Sequence, residues 1–283
     1  MTLRRRLAGL VDVLLRRAFY GGPLRWFLGA TGLESVAGDL YWRLQLALAG
    51  DVQTIAVGDA EASFRNRTRA EFRRTFQNVE RERGRIERLI DDLEPDDVVW
   101  DVGASVGLYC CLIADVLDGG EVVCFEPNPA NLEGLHWNVD RNELGDRVTI
   151  REEALADASG TTTMAVSSDA AGESAVLLDR DWMEREFEAE IARGDDLVDD
   201  GMVPRPDLVK IDVEGAELRV LRGMDRVLSS PGRRTVYCET HPGFLDDLGS
   251  SVGDVEAFLT DRGYELERID GDIRAVKPAE DDR

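Results

Sequence analysis

The chain has 283 residues, with 57 acidic against 34 basic side chains and a formal net charge of -23. Residues 1–88 hold 16 basic against 10 acidic residues (net +6) and residues 89–283 hold 18 against 47 (net -29), so a basic arm precedes an acidic body. A hydrophobic content of 43% excludes disorder for most of the chain, and the length suits one domain plus an accessory segment.

The longest uncharged run, Val102 to Ala114, is well short of the roughly 18 apolar residues that a membrane span needs. Met1 to Leu15 starts like a signal peptide, but Asp12 interrupts its apolar stretch and Arg16 and Arg17 close it, which argues against secretion. Cys110, Cys111, Cys124 and Cys238 lie in apolar stretches without metal-ligand spacing and read as buried thiols of a reducing, cytoplasmic compartment.

Leu3, Leu7, Leu10, Val11, Leu14, Leu15 and Ala18 recur at helical spacing with Arg5, Arg6, Arg16 and Arg17 opposite, predicting a basic amphipathic helix. Its apolar stripe would dock on the chain's own body or on a second subunit; peripheral contact with a membrane surface is the other reading. Gly21 to Pro23 breaks it, and Leu24 to Leu48 reads as further short helix. Val52 to Val57 and Ala62 to Phe64, joined by Gly58-Asp59, read as a hairpin. Thr68 and Glu71 form a capping-box signature, after which Phe72, Phe76, Val79, Ile86, Ile90 and Leu93 trace one stripe along a single long helix, ended by Pro95. This places a helical and hairpin accessory region at residues 1–94 and the main domain at residues 95–279.

From Asp96 the pattern alternates. Val98 to Trp100, Glu121 to Phe125 and Val148 to Ile150 read as strands, with helices over Gly103 to Val116 and Asn128 to Asn142. Such alternation predicts an α/β fold, a parallel sheet with helices on both faces. Thr161 to Val166 and Ala175 to Leu178 read as added strands and Asp181 to Arg193 as a charged helix. Leu208 to Asp212, Thr235 to Glu239 and Tyr264 to Ile269 are later strands, the last turning through Asp270-Gly271 into Ile273 to Val276, and the tail from Glu280 reads as frayed.

Asp101-Val-Gly103-Ala-Ser105-Val-Gly107 follows an apolar strand and opens a helix, a geometry that lets backbone approach a nucleotide closely. Ser105 and Leu108 stand where a dinucleotide fingerprint needs glycine. Asp101 would oppose a pyrophosphate but suits the ammonium of an amino-acid-bearing cofactor such as S-adenosylmethionine. Glu126, in Phe125-Glu126-Pro127-Asn128, ends the next strand, where a carboxylate accepts ribose hydroxyls.

These segments, with Val123 to Pro129, Ala154-Leu155-Ala-Asp157, Glu239-Thr-His241 and above all Lys210-Ile-Asp212-Val-Glu214-Gly-Ala-Glu217, resemble the FkbM family of S-adenosylmethionine-dependent methyltransferases. The resemblance covers about the last two-thirds of the chain. It implies the class I, Rossmann-like fold, a seven-stranded sheet whose last strand is antiparallel. It also implies that Asp101, Gly103 and Gly107 line the methionine end of the cofactor, that Glu126 holds the ribose and that Ala154 and Leu155 lie near adenine, with Ser105 and Asn128 completing the cofactor-binding set. Arg193-Gly194-Asp195-Asp196 departs from the family's pattern on the substrate side. Of the 34 basic residues only Lys210 and Lys277 are lysines, and an acidic chain so poor in lysine resembles the proteomes of halophilic archaea, where charge bears on solubility.

Methyl transfer needs an aligned acceptor and, for a hydroxyl, a group that removes its proton. Asp212 and Glu214 end one strand and Glu239 and His241 the next, at the carboxyl edge where open α/β sheets bind ligands. His241 or Asp212 is the expected base, with Glu239 orienting or charging its partner. Asp212, Glu239 and His241 are also chemically able to hold a divalent metal, but match no standard signature, so no metal is assigned. His136 reads as structural. The expected activity is O-methylation of a small molecule, sugar or glycan. A nicotinamide-dependent oxidoreductase and a catalytically silent nucleotide-binding module are the competing readings. Nucleic acid is disfavoured as acceptor, since Ile211-Asp212-Val213-Glu214 stands where base amino-methylases carry an Asn/Asp-Pro-Pro-Tyr/Phe motif.

Overall fold

The computed structural model describes residues 41–47, 50–167, 175–176, 185–269 and 271–278. The amphipathic segment 3–18, most of the expected helix over Leu24 to Leu48, and the tail from Glu280 lie outside the described residues.

After helix α1 (residues 41–47), strands β1 (Val52–Val57) and β2 (Ala60–Arg65) form the expected hairpin. It is anchored on the body by side chains that satisfy its backbone: Arg65 N–H donates to Asn138 Oδ1 and Ser63 N–H to Asn142 Oδ1, each at 2.7 Å. Thr68 and Glu71 close the capping box of α2 (Arg69–Phe72). The single long helix expected here is interrupted. A π-helical stretch, Arg73–Asn78, separates α2 from α3 (Val79–Asp91). The hydroxyl of Thr75 donates to the Glu71 carbonyl within it at 2.8 Å, a side-chain bond of the kind that bends helices.

The main sheet runs β12-β13-β11-β10-β3-β4-β5. Its strands are β3 (Val98–Val102), β4 (Glu121–Phe125), β5 (Val148–Arg151), β10 (Leu208–Ile211), β11 (Arg234–Cys238), β12 (Glu265–Ile269) and β13 (Asp272–Lys277). Neighbours from β5 to β11 pair in parallel, and β13 runs antiparallel to β11 and β12, as the sequence resemblance implies. Alternate residues face opposite layers. Val99, Val122, Cys124 and Leu208 join one core, with the hairpin and with α3 and α4 (Leu108–Val116); Trp100, Val102, Val123, Phe125, Val209 and Ile211 join the other. Ile55, Phe64, Ile86 and Leu89 therefore share a core with the sheet, although they precede residue 95. All four cysteines are buried free thiols.

Beyond α5 (Pro129–Arg141) lies a second sheet, β6-β9-β7-β8, of β6 (Ala154–Leu155), β7 (Gly160–Val166), β8 (Ala175–Val176) and β9 (Arg185–Ala192). The helix expected over Asp181 to Arg193 is thus a strand where it is described. Its charge density obscured a period of two: Glu186, Glu188 and Glu190 are exposed, while Phe187, Ala189 and Ile191 turn inward against β7. The remaining helices are α6 (Gly194–Asp199), α7 (Glu217–Gly223), α8 (Asp225–Ser229), α9 (Pro242–Asp247) and α10 (Val252–Thr260). Among the described residues no helix is long and apolar enough to cross a membrane.

Candidate active site

The loop after β3 is shaped by close backbone approach. Gly103 has φ +80°, and a Cβ there would lie 1.9 Å from the carbonyl oxygen of Asp212. Gly107, at φ +84°, caps α4, so the helix begins at Leu108 rather than at Gly103. Between them Ser105 holds φ +52°, an uncommon conformation for a residue with a side chain. Its N–H donates to Glu126 Oε2 at 2.8 Å, and Asn128 N–H donates to Glu126 Oε1 at 2.8 Å. Glu126 therefore ties the ends of β3 and β4 together and keeps acceptor capacity to spare. Burial raises its pKa despite these bonds.

A cleft of about 670 Å³, open to solvent, lies at the carboxyl ends of β3, β4 and β10. Gly103, Ser105, Glu126, Ala154 and Leu155 line it, as expected for the cofactor site, together with Met164 and Ile191 of the second sheet and with Arg74, Asp212 and Glu214. Asp101, Gly107 and Asn128 do not. Asp101 is fully buried beneath the loop, where its carboxylate accepts from Cys110 N–H in the first turn of α4 at 3.2 Å and meets Lys210 Nζ at 3.1 Å. In the described structure it caps the helix and pairs with the lysine. Asn128 is the N-cap of α5. His136 is exposed on α5.

The four expected catalytic residues do converge. His241 Nε2 lies 3.8 Å from Asp212 Oδ1, 3.5 Å from Glu214 Oε2 and 3.9 Å from Glu239 Oε1. Its partner is a different acid: Nδ1 meets Glu217 Oε1 at 2.7 Å, and Glu217 is fully buried at the start of α7. Glu239, expected to orient the histidine, instead pairs with Arg85, which also holds Asp272. Burial alone would lower the His241 pKa, but the Glu217 hydrogen bond and the facing Glu214 and Asp212 raise it to about 9. Burial of Asp212 is outweighed by Lys210 and Arg74, which hold its carboxyl well below the usual range. Burial and the neighbouring Asp212 push Glu239 up. Oxygens of Asp212 and Glu214 and a ring nitrogen of His241 lie within 4.8 Å of one another, so the set able to hold a divalent ion includes Glu214 rather than Glu239.

Arg74, Arg85 and Glu217 contact this cluster, and the sequence pattern did not assign them to it. Glu217 was visible as the last acid of the Lys210 to Glu217 motif; the arginines belong to no local pattern. In the departing segment the buried Asp195 carboxylate accepts from Arg226 N–H at 3.1 Å and Val227 N–H at 2.9 Å, capping α8.

A sheet of this order with its antiparallel strand β13, a glycine loop after β3 and acids at the ends of β4 and β10 define a class I, Rossmann-like methyltransferase fold. Residues 101–266 match the Methyltransferase FkbM domain, and the chain belongs to that family. It is 36% identical over 158 residues to the hexuronic acid methyltransferase AglP of Haloferax volcanii, a match covering 56% of this chain and 62% of that protein. It is 29% identical over 201 residues to the 31-O-demethyl-FK506 methyltransferase FkbM of Streptomyces tacrolimicus, covering 61% and 74% respectively. The match to AglP thus spans under two-thirds of that protein's length. The family assignment favours methyl transfer over the nicotinamide reading.

Proposed function

We propose that the chain transfers a methyl group from S-adenosylmethionine to a hydroxyl oxygen of a sugar, glycan or other small molecule. The observation that carries this reading is the meeting of two features in one place: a cleft suited to an adenosyl cofactor, and beside it a histidine backed by a buried glutamate. The cleft fits the cofactor. Gly103 and Ser105 present loop backbone to it, Glu126 keeps acceptor capacity for a ribose hydroxyl beyond its bonds from Ser105, Asn128 and Asn131, and Ala154, Leu155 and Met164 offer an apolar wall to a purine. When bound, the cofactor supplies a methyl carbon activated by its sulfonium charge.

His241 would accept the acceptor's hydroxyl proton as the oxygen bonds to the methyl carbon and the carbon–sulfur bond breaks to leave a neutral thioether, and Glu217 would fix its tautomer and stabilise the imidazolium. Asp212, held ionised by Lys210 and Arg74, and Glu214 keep the site negative where a cationic cofactor must dock. Beside such a cation, His241 loses part of the charge stabilisation that raises its pKa, and moves toward the range in which it works as a base. The sugar reading follows the name of AglP; the hydroxyl reading follows the 31-O-demethyl substrate in the name of FkbM.

Calorimetry with S-adenosylhomocysteine and with NADH tests the cofactor, and labelled methyl transfer to a panel of hexuronic-acid sugars, neutral glycans and polyketide alcohols tests the acceptor. Binding of S-adenosylhomocysteine and labelling of a hydroxyl are expected. Binding of NADH alone would sink the reading.

A further inference from the structure

Arg74 lies outside the matched domain, in the π-helical stretch, yet it lines the cofactor cleft. Its Nη2 donates to Asp212 Oδ2 at 3.1 Å, and Nη1 stands 3.7 Å from Glu82 Oε1. Its Nε is buried without a hydrogen-bond partner. A guanidinium has five N–H donors in a planar fork, and here most of them are uncommitted. An irregular turn of this kind is rare and recurs at functional sites; in this chain it falls where a side chain of the accessory region reaches a residue 138 positions away.

The charges around the cleft are one-sided. Glu126, Asp212 and Glu214 are its acids, and Arg74 is the one cation among the described residues that line it. The cofactor of the preceding proposal carries two cationic groups, an ammonium and a sulfonium, and one anion, its α-carboxylate. The cations have several acids to meet, whereas the carboxylate has one charged partner within the cleft. Lys210 is turned beneath the loop onto Asp101 and the Gly103 carbonyl, and Arg85 is taken up by Glu239 and Asp272.

We infer that Arg74 binds the α-carboxylate of the cofactor's amino-acid end, so that the accessory region completes a site whose other walls belong to the family domain. This rests on the methyl-transfer reading and adds to it a recognition residue. The fork geometry suits a carboxylate, and a partly buried charge-assisted bond is stronger than a neutral one.

The test is calorimetry on the full chain with two ligands that differ only at the amino-acid end: S-adenosylhomocysteine, and 5′-methylthioadenosine, which lacks the carboxylate. Arg74→Ala and Arg74→Met should weaken S-adenosylhomocysteine by about 10- to 100-fold while leaving methylthioadenosine within about twofold. Removing Arg74 also leaves Asp212 facing the carboxylate, so the comparison is repeated in an Asp212→Asn background, where the selective loss should persist. Should the arginine variants fail to fold, decarboxylated S-adenosylhomocysteine on the unsubstituted chain provides the comparison, with weaker binding expected at low salt and at high salt. Equal losses for both ligands, no loss for S-adenosylhomocysteine, or equal binding of the decarboxylated compound would overturn the inference. If the unsubstituted chain binds neither adenosyl ligand, the methyl-transfer reading itself falls.

Discussion

Glu217 and His241 lie 24 positions apart and meet at 2.7 Å, Oε1 to Nδ1, with the glutamate fully buried and the imidazole's other nitrogen turned toward Asp212, Glu214 and Glu239. Glu217 also accepts from Gly215 N–H at 3.0 Å. The acid is thus fixed by the loop that carries Glu214 and cannot swing away from the histidine without disturbing that loop.

Glu217→Gln keeps the shape and a hydrogen bond but removes the charge. The imidazolium then loses its nearest anion, so the His241 pKa should fall from about 9. The chain has two histidines, and His136 is exposed, so NMR titration of the two ring signals resolves the shift. Turnover should drop by about 10²- to 10⁴-fold, because the amide no longer fixes the tautomer or stabilises the imidazolium. An unchanged His241 titration would remove Glu217 from the mechanism.

The same ionisation links pH to stability. A folded-state pKa of about 9 against an ordinary 6.5 means that the native protein binds this proton more tightly than the unfolded chain. The contribution is fully present below pH 6.5 and is lost as pH rises through 9. His241→Gln should therefore be less stable than the parent at pH 6 by about 1–3 kcal/mol, and the gap should close toward pH 10. Urea denaturation at a series of pH values measures it; a gap independent of pH would show that the proton is not held as described.

Two glycines of the loop should differ in what they tolerate. An added methyl at Gly103 meets a backbone oxygen at 1.9 Å, which cannot move without separating β3 from β10. At Gly107 it meets the terminal methyl of Leu135 at 2.6 Å, which can rotate aside, leaving mainly the strain of φ +84°. Gly103→Ala should cost about 3 kcal/mol or more and abolish S-adenosylhomocysteine binding. Gly107→Ala should cost about 1–2 kcal/mol and retain binding. Denaturation midpoints in the reverse order would contradict this account of the loop.

What the sequence disclosed follows from the range of each interaction. The β3–loop–α4 unit, Glu126 at the end of β4 and the closing β12–β13 hairpin are local patterns of period and turn chemistry, and each was readable. Asp101 was readable at the strand end, but its neighbour Lys210 was not, because only the folded structure brings β10 against β3. β9 was misread because Glu186, Glu188 and Glu190 resemble a solvated helix face, whereas the alternation of a strand paired with β7 puts these three on one side. Arg74 and Arg85 reach the site from α2–α3 across more than a hundred residues, and no spacing in the chain announces that.

Asp92, just past α3, shows how firmly the accessory helices are held to the sheet. Its oxygens accept from Arg274 Nη2 at 2.8 Å, Arg274 Nε at 2.7 Å and the Tyr237 hydroxyl at 2.6 Å, joining α3 to β11 and β13. Burial opposes ionisation, but hydrogen bonds from Arg274 and Tyr237 outweigh it and lower the Asp92 pKa. A depressed carboxyl pKa contributes stability above its unfolded value and loses it as pH falls through the folded one. Asp92→Asn should therefore be destabilised by about 1–2 kcal/mol at pH 7, with the difference shrinking as pH falls below about 4. Because Arg85, about two turns earlier on α3, holds Glu239 and Asp272, the loosened helix should also disturb the cluster around His241. Acceptor turnover should then fall more than S-adenosylhomocysteine affinity does. Equal losses in both would mean that α3 supports the whole cleft rather than the acceptor side.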